Sequence, residues 1–264
     1  MFIMELINIH RKKELNVDKH LYLQRIRIDE QRPTLSYLQQ LQYKHLFYVP
    51  FENLDVIRKV PIYLNLKRIY EKVVTNHRGG YCYEVNGLFQ WLLNELGFDT
   101  YLVGATVMRP TGEFAKKNTH VGIIANLKKP YLVDVGFGHS QFQPISLDGQ
   151  IFTDQNGSYK VQQLNENTYD LVRLHDDEWR ILYRFELIKL NLSDFHEGIV
   201  YNQVSPKSSF TQADLVTKPT KTGRLVLRDH TLTTIVDGQR TERQLSSIEK
   251  HEVLKNKFGI LLDE

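Results

Sequence analysis

The stretch Arg78-Gly79-Gly80-Tyr81-Cys82-Tyr83-Glu84 holds the only cysteine in 264 residues. As a thiolate, a lone sulfur is a nucleophile for acyl transfer, so the surroundings of Cys82 decide what chemistry is open to the chain. Tyr81, Val85, Leu88, Phe89, Leu92, Leu93 and Leu96 recur at three- and four-residue intervals. That spacing predicts a helix with one apolar face, and Gly97 supplies its stop. Cys82 then falls on the first turn, where unpaired N–H groups carry partial positive charge and favour an anion. Gly79 and Gly80 can take positive φ and allow close backbone approach. The plain alternative is that Cys82 is a small buried hydrophobe. Chemistry requires partners.

Ten histidines compete for the role of base. His77 precedes the turn and His139 follows Gly138 in a loop. His120 is better placed, because it opens a strand, Thr119-His120-Val121-Gly122-Ile123-Ile124. The next strand is Tyr131-Leu132-Val133-Asp134-Val135-Gly136, and 126–130 is a polar connection of hairpin length. Pairing about residue 127 sets 120 opposite 134 on one face, with Cβ atoms about 4.5–5.5 Å apart. A one-residue slip puts the two on opposite faces. Taken singly, His120 also reads as a strand histidine bonded to backbone, and Asp134 as a strand-end carboxylate. Taken with Cys82 they supply a nucleophile, a base and a group to orient the base. H-E-x-x-H, P-loop and G-x-G-x-x-G motifs are absent, and Gly136-Phe137-Gly138 alone is not one, so no metal is expected.

Three regions must position these groups. Residues 1–95 read as helical, with apolar residues at helical spacing over 19–28 and 34–47, Pro33 between them, and Pro50-Phe51-Glu52-Asn53-Leu54 as a loop. Residues 96–195 change to period two, with strands at 101–108, 121–125, 131–135, 159–163, 169–174 and 179–185. That pattern predicts a small antiparallel barrel or sandwich. Residues 196–264 begin with a loop holding Pro206 and Pro219. Strands follow at 225–227 and 231–236, then the Asp237-Gly238 turn and a further strand. Ser246 or Ser247 caps a last helix, with Ile248, Val253, Leu254 and Phe258 on its apolar side.

Composition narrows the class. Hydrophobic content of 41% and charged content of 25% are ordinary for a globular chain. A net charge of +3 with no concentrated basic block argues against nucleic acid. One cysteine excludes an internal disulfide and a Cys-rich zinc site, and suits a reducing compartment. Met1-Phe2-Ile3-Met4-Glu5 meets a charge at once, unlike a signal peptide, and no apolar run is long enough to span a bilayer. A cytoplasmic protein is expected.

The sequence resembles the arylamine N-acetyltransferase family. The resemblance rests on Val49-Pro50-Phe51-Glu52-Asn53-Leu54, on the Arg78 to Glu84 motif, on Thr119-His120-Val121, on Asp134-Val135-Gly136-Phe137-Gly138 and on Phe258-Gly259-Ile260, in that order. It implies an α+β fold with an N-terminal helical bundle, a central antiparallel β-barrel and a C-terminal α/β lid around a cysteine-protease-like catalytic core. It also implies a Cys82–His120–Asp134 triad, acetyl-coenzyme A as donor, and aryl amines or hydrazines as acceptors by a ping-pong route. Phe51 and Phe137 match positions that line the family's substrate pocket, with core packing as the alternative. Glu52 and Arg78 are expected to pair and hold backbone rather than touch substrate. A transglutaminase- or papain-like thiol hydrolase shares the Cys, His, Asp order and is the nearest rival; a non-enzymatic binding module is the rival from another class.

Overall fold

The computed structural model describes residues 17–138 and 141–262. The readings of Met1 to Glu5 and of His139 lie outside the described residues. Helices α1 (Lys19–Ile26) and α2 (Leu35–Tyr48) form where the apolar spacing predicts. Asp18 and Thr34 cap them, accepting from the backbone N–H of His20 and of Tyr37. Arg27, at φ 57, ends α1 earlier than its apolar pattern does.

The expected loop at 50–54 is instead strand β1 (Phe51–Glu52) followed by helix α3 (Leu54–Ile57). A two-residue strand leaves no periodicity to read. Helix α4 (Leu66–Tyr70) runs on into a wider turn, Glu71–Thr75, and α5 (Cys82–Glu95) follows with Gly97 at φ +85 behind it.

Eight antiparallel strands make the middle of the molecule: β2 (Asp99–Val107), β3 (His120–Asn126), β4 (Pro130–Val133), β5 (Ile145–Ser146), β6 (Phe152–Asp154), β7 (Gly157–Gln163), β8 (Thr168–His175) and β9 (Glu178–Glu186). Their order is β5-β4-β3-β2-β9-β8-β7-β6. The sheet curls until β5 lies against β7, a nearly closed barrel. Val103, Ile124, Leu132, Val161, Leu171 and Tyr183 fill the interior. Val121, Ile123 and Ala125 pack outwards, in one core with Leu88 and Leu92 of α5. Strand β3 is therefore buried on both faces, which explains its unbroken apolar run.

The β3–β4 hairpin pairs Ile124 with Leu132 and Asn126 with Pro130, so it turns about residue 128 rather than 127. Strand β4 ends at Val133, and Asp134 leaves the ladder. Moving the centre by one residue moves each partner by two, and the facing is preserved.

Past residue 190 the chain is more ordered than the expected loop. A tight turn, Leu192–Phe195, leads into α6 (His196–Val204). Strands β10 (Leu215–Thr220), β11 (Gly223–Arg228), β12 (Thr231–Val236) and β13 (Gln239–Gln244) then join β1 in a second sheet, β1-β10-β11-β12-β13. Pro219 thus lies in a strand, not a loop. Leu215 turns its backbone towards β1, so Pro219, four residues on, faces the same side beyond the end of β1. No ladder bond is lost there. Ser246 caps α7 (Ser247–Val253) and shares a reciprocal pair of bonds with Glu249. Val253, Leu254 and Phe258 pack with Val216 and Leu227, but Ile248 is 76% exposed and takes no part in that core.

Candidate active site

The turn before α5 is fixed by backbone proximity. A Cβ on Gly79 would lie 2.0 Å from the carbonyl oxygen of Pro50, so only glycine fits. Neither Gly79 nor Gly80 has positive φ; close approach, not handedness, is the reason for both. Glu84 reaches back to the Tyr81 N–H at 3.2 Å and starts the helix at Cys82.

Around this turn lies a buried charge network. Arg78 grips Glu52 through two bonds, of 2.8 and 3.1 Å, and Asp55 through one of 2.8 Å. Lys72 bridges Asp55 at 2.8 Å and Glu84 at 2.9 Å. Burial works against these charges, but the mutual attraction holds Asp55 below the usual carboxylate range and lifts Lys72 and Arg78. Burial pushes Glu84 up, against the pull of Lys72. The network ties β1, α3 and the wider turn after α4 to the first turn of α5. Glu52 and Arg78 hold backbone, as expected.

Cys82 is 2% exposed, with its Sγ 3.9 Å from the Thr119 carbonyl. His120, the next residue, has its ring within hydrogen-bonding reach of the thiol. Its Nε2 lies 2.7 Å from Asp134 Oδ2, which leaves Nδ1 for the sulfur. Asp134 takes three more donors: Tyr183 Oη at 2.9 Å, Asn86 Nδ2 at 2.9 Å and the Gly136 N–H at 2.8 Å. Burial opposes its charge, yet His120, Asn86 and Gly136 hold the carboxyl below its ordinary range. Burial also opposes a charged imidazole, but Asp134 overrides it and lifts His120 to about 10. Asp134 thus stabilises the ring once it carries the proton of the thiol.

Asn86 and Tyr183 are not among the residues expected from sequence. Asn86 sits one helical turn after Cys82 and also bonds the Val121 carbonyl at 2.7 Å and the Val135 N–H at 2.9 Å. One side chain thus binds the helix of Cys82 to the strand of His120 and to the loop of Asp134. Its i+4 position was the available signal. Tyr183 arrives from β9 across the barrel and had none. His77 is not a partner; it is exposed and its carbonyl accepts from Arg25.

Cys82 and His120 open onto a cavity of about 810 Å³. Phe51 and Phe137 both line it. Phe137 stands edge-on to the His120 ring, centroids 5.2 Å apart, and Phe51 leans towards Phe210. Arg109, Lys207 and Arg224 also line it, and no Asp or Glu does among the described residues.

A thiol, an imidazole and a buried carboxylate beside an apolar cavity fit several acyl-transfer classes; comparison with known proteins separates them. Residues 34–264 match the family model described as N-acetyltransferase. A pineal-gland arylamine N-acetyltransferase isozyme of Gallus gallus is 32% identical over 246 residues, covering 83% of this chain and 85% of its own. The chain belongs to the arylamine N-acetyltransferase family. It is an acyltransferase, and neither a thiol hydrolase nor a binding module is favoured. The solved arylamine N-acetyltransferase of Bacillus cereus aligns with a TM-score of 0.87 at 26% identity, over 92% of this chain and 98% of that one. That enzyme has a Cys-His-Glu catalytic triad, whereas the carboxylate bonded to His120 here belongs to an aspartate. The Mycobacterium marinum arylamine N-acetyltransferase in complex with CoA aligns at 0.84 with 29% identity, over 92% and 93% of the two chains. The α+β architecture of helices and barrel is that of the family. No described helix is long and apolar enough to cross a membrane.

Proposed function

We propose that this member of the family moves an acetyl group from acetyl-coenzyme A to an aryl amine or hydrazine through a thioester on Cys82. The observation that carries the proposal is the chain of contacts from the thiol through His120 to Asp134, on the wall of a cavity of about 810 Å³. His120 takes the Cys82 proton, the thiolate attacks the acetyl carbon, the bond to the coenzyme sulfur breaks, and His120 returns the proton to that leaving sulfur. The amine nitrogen then attacks the Cys82 thioester. Its N–C bond forms as the Cys82 S–C bond breaks, and His120 takes the amine proton. Asp134 holds the ring so that Nε2 keeps its proton and Nδ1 does the transfers.

Lys207, Arg109 and the Ser208 and Ser209 residues at the cavity suit a phosphate-bearing donor, with no carboxylate in the described lining to repel it. Phe51 and Phe137 are the apolar walls for an acceptor ring. In this reading residues 1–95 carry the nucleophile, 96–195 the histidine and aspartate, and 196–264 cover the cavity. A cytoplasmic setting keeps the thiol reduced.

Intact-mass measurement after mixing with acetyl-coenzyme A should give one acetyl adduct, absent in Cys82→Ala. The adduct, freed of coenzyme by gel filtration, should pass its acetyl group to an aryl amine. An isolated acetyl-enzyme unable to do so would rule out the two-step route.

A further inference from the structure

Arg224 is the one charged residue deep in this cavity that the acetyl-transfer scheme does not use. It is 6% exposed, on β11, and lines the same space as Cys82, Phe51 and Phe137. Its Nη1 donates to the Gly138 carbonyl and, at 3.0 Å, to Thr217 Oγ1. Both acceptors are neutral. Its Nε has no partner, and no carboxylate lies within ion-pair distance among the described residues. Tyr159 and Asp154 favour its charge only at longer range, and Arg173 opposes them. Burial therefore disfavours this charge, with only partial relief, although a guanidinium keeps its proton in a protein. The other buried cations near the site are handled differently. Arg78 and Lys72 each hold carboxylates directly.

A buried guanidinium left without an anion, on a cavity whose described lining holds no acid, is a receptor for one. Phe51 pairs with Thr217 across β1 and β10, and Gly138 packs on the Phe51 ring. Arg224 bonds to both of those neighbours, so its charge stands beside one of the aromatic walls. Resting on the acetyl-transfer reading above, we propose that Arg224 binds an oxyanion of the substrate, and that this is a carboxylate carried on the acceptor's aromatic ring. Phosphates of the donor are the other source of the same chemistry. Arg109 and the exposed Lys207 are cations of the same cavity open to solvent, and better suited to a group that remains partly hydrated. The enclosed position of Arg224 suits a small planar carboxylate in the fork geometry that arginine provides.

The test compares 3- and 4-aminobenzoate with the matching neutral aminobenzamides. The readout is the ratio of kcat/KM for acid over amide, in the parent, Arg224→Gln and Arg224→Lys. One charge-assisted contact predicts that the ratio falls on the order of tenfold to a hundredfold in Arg224→Gln, with part retained in Arg224→Lys. Circular dichroism and the mass of the Cys82 acetyl adduct establish that each variant folds and accepts acetyl. A ratio that moves less than twofold in folded Arg224→Gln overturns the proposal. So does a loss seen with acetyl-coenzyme A but not with 4-nitrophenyl acetate, a phosphate-free donor, because the donor would then own the contact. Calorimetric binding of the aminobenzoates needs no turnover. If the parent forms no acetyl adduct, the acetyl-transfer reading fails on its own evidence. Weaker aminobenzoate binding by Arg224→Gln than by the parent would still support the carboxylate site, and equal binding would remove it.

Discussion

Asp134→Asn separates the proposed role of this side chain in the reaction from its role in the fold. All four groups on Asp134 are donors: His120 Nε2 and Tyr183 on Oδ2, Asn86 Nδ2 and the Gly136 N–H on Oδ1. An amide of the same shape has one accepting end. Turned towards Asn86 and Gly136, which cannot reverse their N–H groups, it keeps those two bonds. Its NH₂ end then meets His120 and Tyr183. The tyrosine hydroxyl can rotate, and the imidazole can move its proton to Nδ1 and accept at Nε2. That tautomer presents an N–H to Cys82 and has no lone pair there to take its proton. Two bonds to a charged acceptor are lost or reversed, at about 1.5–3 kcal/mol each, so stability should fall by roughly 3–6 kcal/mol. The tautomer effect is larger in rate: the same exchange in a serine-protease triad lowers turnover about 10⁴-fold, or about 5.5 kcal/mol of barrier. Single-turnover acetylation of Cys82, followed by mass, measures the first half-reaction without an acceptor. Circular dichroism and urea unfolding report the fold. A folded Asp134→Asn protein that acetylates within tenfold of the parent rate would refute the assignment of His120 as the base held by Asp134.

The same pair sets a pH dependence of stability. His120 is raised in the folded state, so its contribution is complete below about 6.5 and is lost as pH rises towards 10; Asp134 is lowered, so its contribution is present above 3.8 and is lost as pH falls below that. In Asp134→Asn burial acts on His120 against Cys82 alone, and the slope between pH 5 and 8 should reverse; parallel urea midpoints for the two proteins would contradict this. Gly136→Ala would set a Cβ 2.7 Å from both Cys82 Cα and Asn86 Nδ2, and should slow Cys82 acetylation at least tenfold by forcing the loop off α5. An acetylation rate equal to the parent's would show that the loop has room to move. Arg78→Met leaves Glu52, fully buried, with Lys72 4.0 Å away as its remaining cation, and should lower stability by about 3–5 kcal/mol in urea unfolding. A change below about 1 kcal/mol would mean the network is not needed to hold the turn.

Much of the site was legible because its parts lie within short segments. Cys82 follows from one helix pattern, and His120 with Asp134 from one hairpin. The hairpin centre was misjudged by a residue, and the pairing survived because strand geometry repeats every second position. Asn86 was within reach of the same helical reasoning, but a search for apolar periodicity passes over a buried polar residue on the site-facing turn. Tyr183 and Arg224 were not legible. Tyr183 is 49 residues from Asp134 and Arg224 is 86 from Gly138, and no local spacing encodes which side chain a barrel or a second sheet will bring across. The same holds for β1, whose two residues become a strand only because β10 arrives beside them.

The burial of the carboxylate also explains why so many groups surround it. An aspartate at zero exposure would normally take up a proton to escape its charge. Neutral, it could orient His120 but could not support a positive imidazole. Four donors replace the water it has lost, and one of them is the imidazole itself. Two others are fixed independently, the Gly136 N–H by its backbone and Asn86 by its bonds to the Val121 carbonyl and the Val135 N–H. Their positions do not depend on whether His120 is charged. In the proposed transfer the carboxylate stays ionised through both halves, while the ring gains and loses its proton. That division of labour requires α5, β3 and the loop after β4 to stay in contact, which the shared core of Leu88, Leu92, Val121 and Ile123 maintains. The geometry of the proposed triad is thus a property of the packing between helix and barrel, and changes to that packing should alter the acetylation rate before they unfold the chain.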